Sequence, residues 1–299
     1  MSTVKALINS MRLRTLPLSL AGVVCGSILA CANHSQNVWS FVLLYLTTIA
    51  LQVLTNLSNE MGDHLSGVDG EGREGPNYSM ADGGLTVKQM WKAINAMVIF
   101  CALSGLAMVW VSGSPWWLLL LGAAAIWAAT HYTLGKNPYG YRGLGDLFVF
   151  IFFGLVSVLG SFFVLVHDIH WYYIQPASGI GLLSVAVLNV NNIRDMQSDE
   201  GLRKTVPLKI GVRRAKWYQT VLVSLGWLLT AGSYYGNATF SWLILCTLPL
   251  FIWHIVCVWR REGKRLDPML PLLVMSTFLL SLLYSIGTFL LLWPITSTR

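Results

Sequence analysis

Nine long apolar stretches constrain the fold of this chain more than any other feature of its sequence. Most contain about the 20 residues that an α-helix needs to cross the hydrocarbon core of a bilayer. Of the 299 residues 55% are hydrophobic and only 11% are charged, whereas soluble domains carry about 25% charged residues. We therefore predict an all-α membrane protein with about nine transmembrane helices, folded as a single domain over residues 1–299. The stretches lie at roughly 16–33, 39–57, 91–112, 116–134, 144–166, 172–190, 217–236, 240–259 and 268–293.

Lysine and arginine residues are distributed unevenly over the loops between these stretches. With nine spans the loops alternate sides, and 19 of the 20 Lys and Arg residues then lie on the side of the N-terminus, which leaves only Arg299 opposite. Because positively charged loops stay in the cytoplasm, we expect a multi-pass protein of the cell inner (plasma) membrane with a cytoplasmic N-terminus and an outside C-terminus. The net charge of +7 does not indicate nucleic-acid binding, because no basic run is interleaved with exposed aromatic residues.

One polar segment, VNNIRDMQSDEGLRKTVPLKIG at 190–211, follows the sixth stretch. Asn191, Asp195 and Asp199 recur every four residues, so a helix places them on one face about one turn apart. Such a column presents several oxygen atoms to a hard cation. The neighbouring basic residues can hold an anion, and they are Arg194, Arg203 and Lys204.

A similar polar cluster, NLSNEMGDHLSGVD at 56–69, follows the second stretch. Both clusters begin with Asn at the cytoplasmic end of an even-numbered span. This equivalence predicts two four-helix repeats in the same orientation plus one added helix, with the two acidic faces across a central cavity. The oxygen-bearing residues of this first cluster are Asn56, Asn59, Glu60, Asp63 and Asp69.

Two facing acidic clusters suit the chemistry of a diphosphate. Mg²⁺ prefers oxygen ligands and commonly binds one or two carboxylates together with phosphate oxygens, so we expect two Mg²⁺ ions bridged by a diphosphate. Basic side chains would neutralise the remaining charge and make the diphosphate a good leaving group. An allylic isoprenoid chain would then lie in the membrane while its head stays at the polar mouth. Beyond the three basic residues named above, the candidate cations are Arg73, Lys136 and Arg142.

The pattern NxxNExxDxxxGxD at 56–69 and NNIRDxxxD at 191–199 resembles the two aspartate-rich motifs of the UbiA superfamily of intramembrane prenyltransferases. RLRTLPLSLAGVVCG near the start and YTLGKNPYGYRGLGDLFVFIFFGLVSVLG at 132–160 resemble the branch that prenylates 1,4-dihydroxy-2-naphthoate in menaquinone synthesis. The resemblance implies a UbiA-like fold. It also implies Mg²⁺-dependent transfer from a polyprenyl diphosphate with decarboxylation, giving demethylmenaquinone.

The same resemblance implies Mg²⁺ and diphosphate binding at both motifs, with Glu60 standing where the family usually has Asp. The residues expected to act in catalysis are Asp63, Asp195, Asp199 and Lys204. His131 and Tyr132 are candidates for the acceptor pocket, although an interfacial role fits them equally well. Another aromatic acceptor, such as 4-hydroxybenzoate or a chlorophyllide, stays open. A secondary transporter is the alternative of a different class, and the concentration of polar residues at one mouth disfavours it.

Overall fold

The computed structural model describes residues 2–33, 37–67, 79–233 and 238–296, and every regular element within these ranges is helical. Short helical turns at Met196–Asp199 and Val206–Ile210 follow the seventh helix. The helices are α1 Thr3–Ser10, α2 Leu16–Ala32, α3 Val38–Ser66, α4 Val87–Ser112, α5 Leu118–His131, α6 Gly145–Val166, α7 Ile174–Arg194, α8 Val212–Gly232, α9 Ala238–Leu245, α10 Leu248–Arg260 and α11 Met269–Thr296.

The prediction of an all-α membrane protein is confirmed, because each of the nine apolar stretches coincides with helix. Seven helical segments of the described chain are long and apolar enough to cross a membrane. Of the other two, α5 is apolar but has only 14 residues, and α8 begins with the basic sequence VRRAK. The count of nine spans therefore stays a prediction, as does the single domain over 1–299.

Local signals in the sequence set the ends of the two helices that follow α2. The side chain of Asn37 accepts a hydrogen bond from the backbone N–H of Ser40 at 3.2 Å and so caps the start of α3. Gly67 ends α3 with φ 76°, a conformation that glycine adopts without a steric penalty. Thr86 and Gln89 form a capping box at the start of α4.

Glycine residues allow the central helices to approach closely. A Cβ atom at Gly22 or Gly26 of α2 would collide with the backbone and side chains of α6. At Gly154 of α6 it would lie 2.6 Å from the Cα atom of Gly181 in α7. Small residues at such crossings supply the close packing that stabilises helix pairs in lipid, where the hydrophobic effect between helices is weak.

The pattern of packing agrees with two repeats around a cavity. The pairs α2–α3 and α6–α7 pack together, as do α3–α4 and α7–α8, and α11 packs against both α2 and α7. The middle of α6, Phe150–Gly160, is a π-helix, a form often found beside functional sites. One central cavity is lined by side chains from α2, α3, α4, α5, α6, α7 and α11. The prediction of a central cavity is therefore confirmed.

Candidate functional site

The central cavity has a volume of about 880 Å³ and differs in character from one end to the other. Its charged residues come from the C-terminal ends of α3 and α7, from the loop after α7, from the connection before α2 and from Asp267 before α11. Most of the remaining lining is apolar, and much of it belongs to α4, α5 and α6. A molecule with a charged head and a hydrocarbon tail matches this division. Apolar lining residues include Val109, Leu118, Leu121, Phe152 and Val164.

Helix α3 brings Asp63 to the polar end of the cavity. Its side chain is buried, and its Oδ1 atom accepts a hydrogen bond of 2.9 Å from the hydroxyl of Tyr141. One turn earlier, Asn59 lines the same cavity and accepts a longer hydrogen bond, 3.4 Å, from the hydroxyl of Thr133. Both are therefore placed as the sequence predicted, with oxygen atoms held by neighbours from the α5–α6 connection.

Helix α7 and the residue that follows it supply Asn191 and Asp195 to the same cavity. Arg194 contacts both carboxylate oxygens of Asp195 at 2.7 Å and donates to the side-chain oxygen of Asn191 at 2.9 Å. It also donates to Asp267, in the turn before α11, at 2.9 Å. Because Arg194 and Asp195 are both buried, this pairing compensates a charge that would otherwise be costly to bury.

Arg203 joins the two acidic clusters. Its guanidinium forms a salt bridge with Asp63 of α3, and its Nε atom lies 3.7 Å from Asp199. It also stacks over the ring of Tyr141, with 4.7 Å from its central carbon to the ring centroid. Arg203 therefore links the two clusters in one site, because it lies between carboxylates that are 136 positions apart in the sequence.

The electrostatics of this loop region follow from burial and charge. Burial alone would lower the pKa of Arg203, but the carboxylates of Asp63 and Asp199 outweigh it and raise the pKa, so the guanidinium stays charged. Burial and the charge of Asp63 raise the pKa of Tyr141. The phenol therefore stays protonated and remains a hydrogen-bond donor to Asp63.

Two residues of the first motif have other contacts than the sequence suggested. The amide nitrogen of Asn56 donates to the carbonyl of Met11 at 2.8 Å, and its oxygen accepts from Gln52 at 3.2 Å. Glu60 does not line the cavity: it is fully buried, and it accepts hydrogen bonds from the hydroxyl of Ser10 and the backbone N–H of Met80. Both side chains thus anchor neighbouring segments to α3 in this structure.

Three of the six predicted cations lie away from the cavity. The side chains of Lys136, Arg142 and Lys204 are exposed and do not line it. The backbone of Lys204 donates to the carbonyl of Tyr141 at 3.0 Å, and this tie holds the loop so that Arg203 faces inward. Asp69 and Arg73 lie outside the residues that the structure describes, so their roles stay predictions.

The two candidates for the acceptor pocket separate. Tyr132 lines the cavity. His131 is exposed instead, stacks on Trp127 with 5.0 Å between ring centroids, and shares a hydrogen bond with Thr130 at 2.9 Å. The structure therefore places His131 outside the pocket, because consecutive residues at the end of a helix point in different directions.

Several cavity residues were not singled out from the sequence. Arg12 and Arg14 line it from the connection before α2, and Gln52 lines it from α3. Tyr141 and Asp267 contact the charged side chains. The available signal for the arginines was their place in RLRTLP, directly before the first apolar stretch, which entered the sequence analysis only as part of the family resemblance.

The donor atoms at the polar end suit a hard divalent cation. Among the described residues no three His, Cys, Asp or Glu side chains are grouped closely enough to hold a metal by themselves. The lining does offer carboxylate and amide oxygens from both motifs, which is the ligand chemistry of Mg²⁺, an ion that commonly completes its coordination with phosphate oxygens and water. These residues are Asn59, Asp63, Asn191, Asn192, Asp195 and Asp199.

Comparison with known proteins decides the family. A sequence profile of the UbiA prenyltransferase family matches residues 19–282. The chain belongs to the UbiA prenyltransferase family. It is 36% identical over 300 residues to the 1,4-dihydroxy-2-naphthoate octaprenyltransferase of Escherichia coli K12, with 98% of this chain and 97% of that protein covered. For the enzyme of the same name from Haemophilus influenzae the identity is 37% over 287 residues, covering 92% and 93%.

The fold agrees with this membership. A UbiA homologue from Archaeoglobus fulgidus, solved with GPP and Mg²⁺, superimposes with a TM-score of 0.64 over 95% of this chain and 99% of that chain, at 15% identity. Such a likeness establishes a shared UbiA fold for the two proteins. The transporter alternative loses its support, because the family is one of prenyltransferases and the polar lining gathers at one end of the cavity.

Proposed function

We propose that this UbiA-family enzyme transfers a polyprenyl group from a polyprenyl diphosphate to 1,4-dihydroxy-2-naphthoate with loss of CO₂, giving the hydroquinone form of demethylmenaquinone for menaquinone synthesis. One observation carries the proposal: the acidic residues of both motifs meet across Arg203 at the polar end of an otherwise apolar cavity. The acceptor is supported by the two octaprenyltransferases of that name, which match nearly the whole chain.

Mg²⁺ is the cofactor that fits the donor set of this site. The oxygen ligands come in two groups, one from α3 and one from α7 and the loop behind it, and we therefore propose two ions. Bound Mg²⁺ would neutralise the negative charge that develops on the diphosphate when its bond to the prenyl carbon breaks. The groups proposed to hold the ions are Asn59 and Asp63 from the first motif, and Asn191, Asp195 and Asp199 from the second.

The protein's own residues orient the reaction. Arg203 stays charged and lies where it can stabilise the departing diphosphate, while Tyr141 fixes the carboxylate of Asp63. Apolar side chains of α4, α5 and α6 hold the prenyl chain and keep water from the allylic cation. Lys136, Arg142 and Lys204 stay predictions as further diphosphate contacts, since they are exposed in this structure.

The electron balance of the transfer needs no base that removes a ring proton. The bond between the prenyl carbon and the diphosphate oxygen breaks, and its electron pair leaves with the diphosphate. The ring carbon that carries the carboxylate then forms the new carbon–carbon bond, since two ring hydroxyls make it electron-rich. Loss of the carboxylate as CO₂ returns an electron pair to the ring and restores its aromatic character.

The orientation in the membrane follows from the charge distribution. We propose that the N-terminus and the loops around both motifs face the cytoplasm of a cell with this protein in its inner (plasma) membrane, and that the C-terminus lies outside. The 19-to-1 division of Lys and Arg residues supports this orientation. Both substrates would then reach the polar end of the cavity from the cytoplasmic side.

A labelling experiment tests the proposed reaction. Purified protein is incubated with Mg²⁺, a polyprenyl diphosphate and 1,4-dihydroxy-2-naphthoate that carries ¹³C in its carboxyl group, with chelated and acceptor-free samples as controls. We expect labelled CO₂ to appear in step with diphosphate and the product to lack the label. A prenylated product that retains the label, or faster turnover of 4-hydroxybenzoate, would assign the enzyme to another acceptor.

A further inference from the structure

The connection between α1 and α2 holds an arginine in an unusual conformation at the cavity. Arg12 has φ 48° and ψ 51°, in the left-handed region, which residues other than glycine rarely adopt and in which Asn and Asp are enriched. Its side chain lines the same cavity as the two acidic motifs. A strained backbone persists where the surrounding contacts hold it, and such residues cluster at functional sites.

Buried amides of α3 hold this connection in place. Asn56 donates to the carbonyl of Met11 at 2.8 Å and to the hydroxyl of Thr15 at 2.9 Å. Gln52 donates to the same hydroxyl at 3.0 Å, and that hydroxyl donates to the carbonyl of Arg12 at 2.9 Å. The strained residue is thus fastened on both sides by hydrogen bonds to the helix that carries the first motif.

The backbone of Arg12 meets α3 at a different level from Asp63, the partner of Arg203. Arg194 and Arg203 pair with the carboxylates of the two motifs. Arg12 follows Met11, whose carbonyl accepts from Asn56, and Asn56 lies seven residues before Asp63, about 10 Å along α3 at 1.5 Å per residue. This places the backbone of Arg12 about two helical turns of α3 away from Asp63, and from there its side chain enters the cavity.

We propose that Arg12 binds the carboxylate of the aromatic acceptor, and that Gln52 and Asn56 are positioning residues for it. The inference rests on the proposed function. A planar guanidinium matches a carboxylate with two parallel hydrogen bonds, and it offsets the repulsion between this anion and the nearby diphosphate. Because CO₂ is neutral, the contact is lost as product forms, so Arg12 contributes to acceptor binding more than to the chemical step.

Substitutions at Arg12 separate this role from diphosphate binding. Arg12→Asn removes the charge and suits the left-handed backbone, whereas Arg12→Lys keeps the charge and loses the two-pronged geometry. We expect Arg12→Asn to raise the KM for the naphthoate about 10- to 100-fold, with the KM for the polyprenyl diphosphate unchanged within about twofold and kcat much less affected. The KM of Arg12→Lys for the naphthoate should lie between those of the wild-type protein and Arg12→Asn. The exposed Arg213→Gln is the matched control.

Two outcomes would overturn the assignment: unchanged KM values for the naphthoate in Arg12→Asn, or an equal rise for the diphosphate substrate. If Arg12→Asn does not fold, a binding assay on the wild-type protein tests the same proposal. In a binding assay without prenyl diphosphate, that protein should bind 1,4-dihydroxy-2-naphthoate at least about tenfold more tightly than 1,4-dihydroxynaphthalene, which lacks the carboxylate. Equal binding refutes the role of Arg12. Turnover of 4-hydroxybenzoate in place of the naphthoate would refute the proposed acceptor but not the role of Arg12. In that case Arg12→Asn must raise the KM for 4-hydroxybenzoate instead.

Discussion

Arg203→Gln offers a quantitative test of the charge arrangement in the cavity. The substitution removes the cation between Asp63 and Asp199, whose side chains are only 7% and 3% exposed. Removing one partner of a buried ion pair costs about 3–5 kcal/mol, because the remaining charge stays buried. Since Tyr141 still donates to Asp63, we expect the lower end, about 3 kcal/mol. At about 2 °C per kcal/mol for a long chain, the midpoint of thermal unfolding should fall by about 6 °C.

Mg²⁺ should restore much of this loss if the same carboxylates bind it. An ion that binds only the folded state stabilises by about 2.7 kcal/mol at a concentration 100 times its Kd, so the midpoint should rise again by about 5 °C. The 13 tryptophans allow unfolding of the detergent-solubilised protein to be followed by fluorescence, with and without Mg²⁺. Arg213→Gln is the control for loss of an exposed cation. A wild-type midpoint in Arg203→Gln, or no response to Mg²⁺, would refute this reasoning.

Three further outcomes are expected. Changing one of three cavity aspartates to Asn keeps the shape of the side chain and removes the charge that Mg²⁺ requires. Turnover should fall at least about 100-fold in each variant while the protein still inserts and purifies. Near-normal rates in all three variants would contradict the metal assignment. Glu60→Gln should keep kcat within about threefold of the wild-type value, since that side chain contacts Ser10 and Met80 outside the cavity. A loss of turnover as large as that of the aspartate variants would show that Glu60 acts in the proposed metal site. On a Cys-free background, single cysteines in 58–90 and 191–216 should react only from the cytoplasmic side and one near Arg299 only from outside, and labelling of the two loops from opposite sides would exclude a shared site. The aspartates are Asp63, Asp195 and Asp199.

The sequence predicted the helices, the cavity and the meeting of the two acidic clusters, because each rests on a strong periodic or compositional signal. Long apolar stretches define helices with little ambiguity, and the spacing of Asn191, Asp195 and Asp199 places them together on α7 and its continuation. The π-helical middle of α6 could not be foreseen. Its sequence, FIFFGLVSVLG, is apolar throughout and gives no periodicity that distinguishes one helical form from another.

The contacts of individual motif residues could not be predicted, because they depend on which neighbour packs against each side of α3. At about 100° per residue, Glu60 lies about 60° around the helix from Asp63 and about 100° from Asn59. That angle turns it towards α1 and the segment before α4, where Ser10 and Met80 bind it. The loop cations Lys136 and Arg142 carried no periodic signal at all, and the fold leaves them exposed.

The division of the buried carboxylates between two arginines has a consequence for how substrate enters. Asp195 is compensated by Arg194 within α7, whereas Asp63 and Asp199 share Arg203, which belongs to a loop. A diphosphate brings negative charge and phosphate oxygens into the same space, and Mg²⁺ brings positive charge that the carboxylates can bind in place of the guanidinium. Arg203 can then exchange its carboxylate partners for the diphosphate without leaving any buried charge unpaired. We infer that Arg203 changes partners on binding, whereas Arg194, held additionally by Asn191 and Asp267, keeps its own.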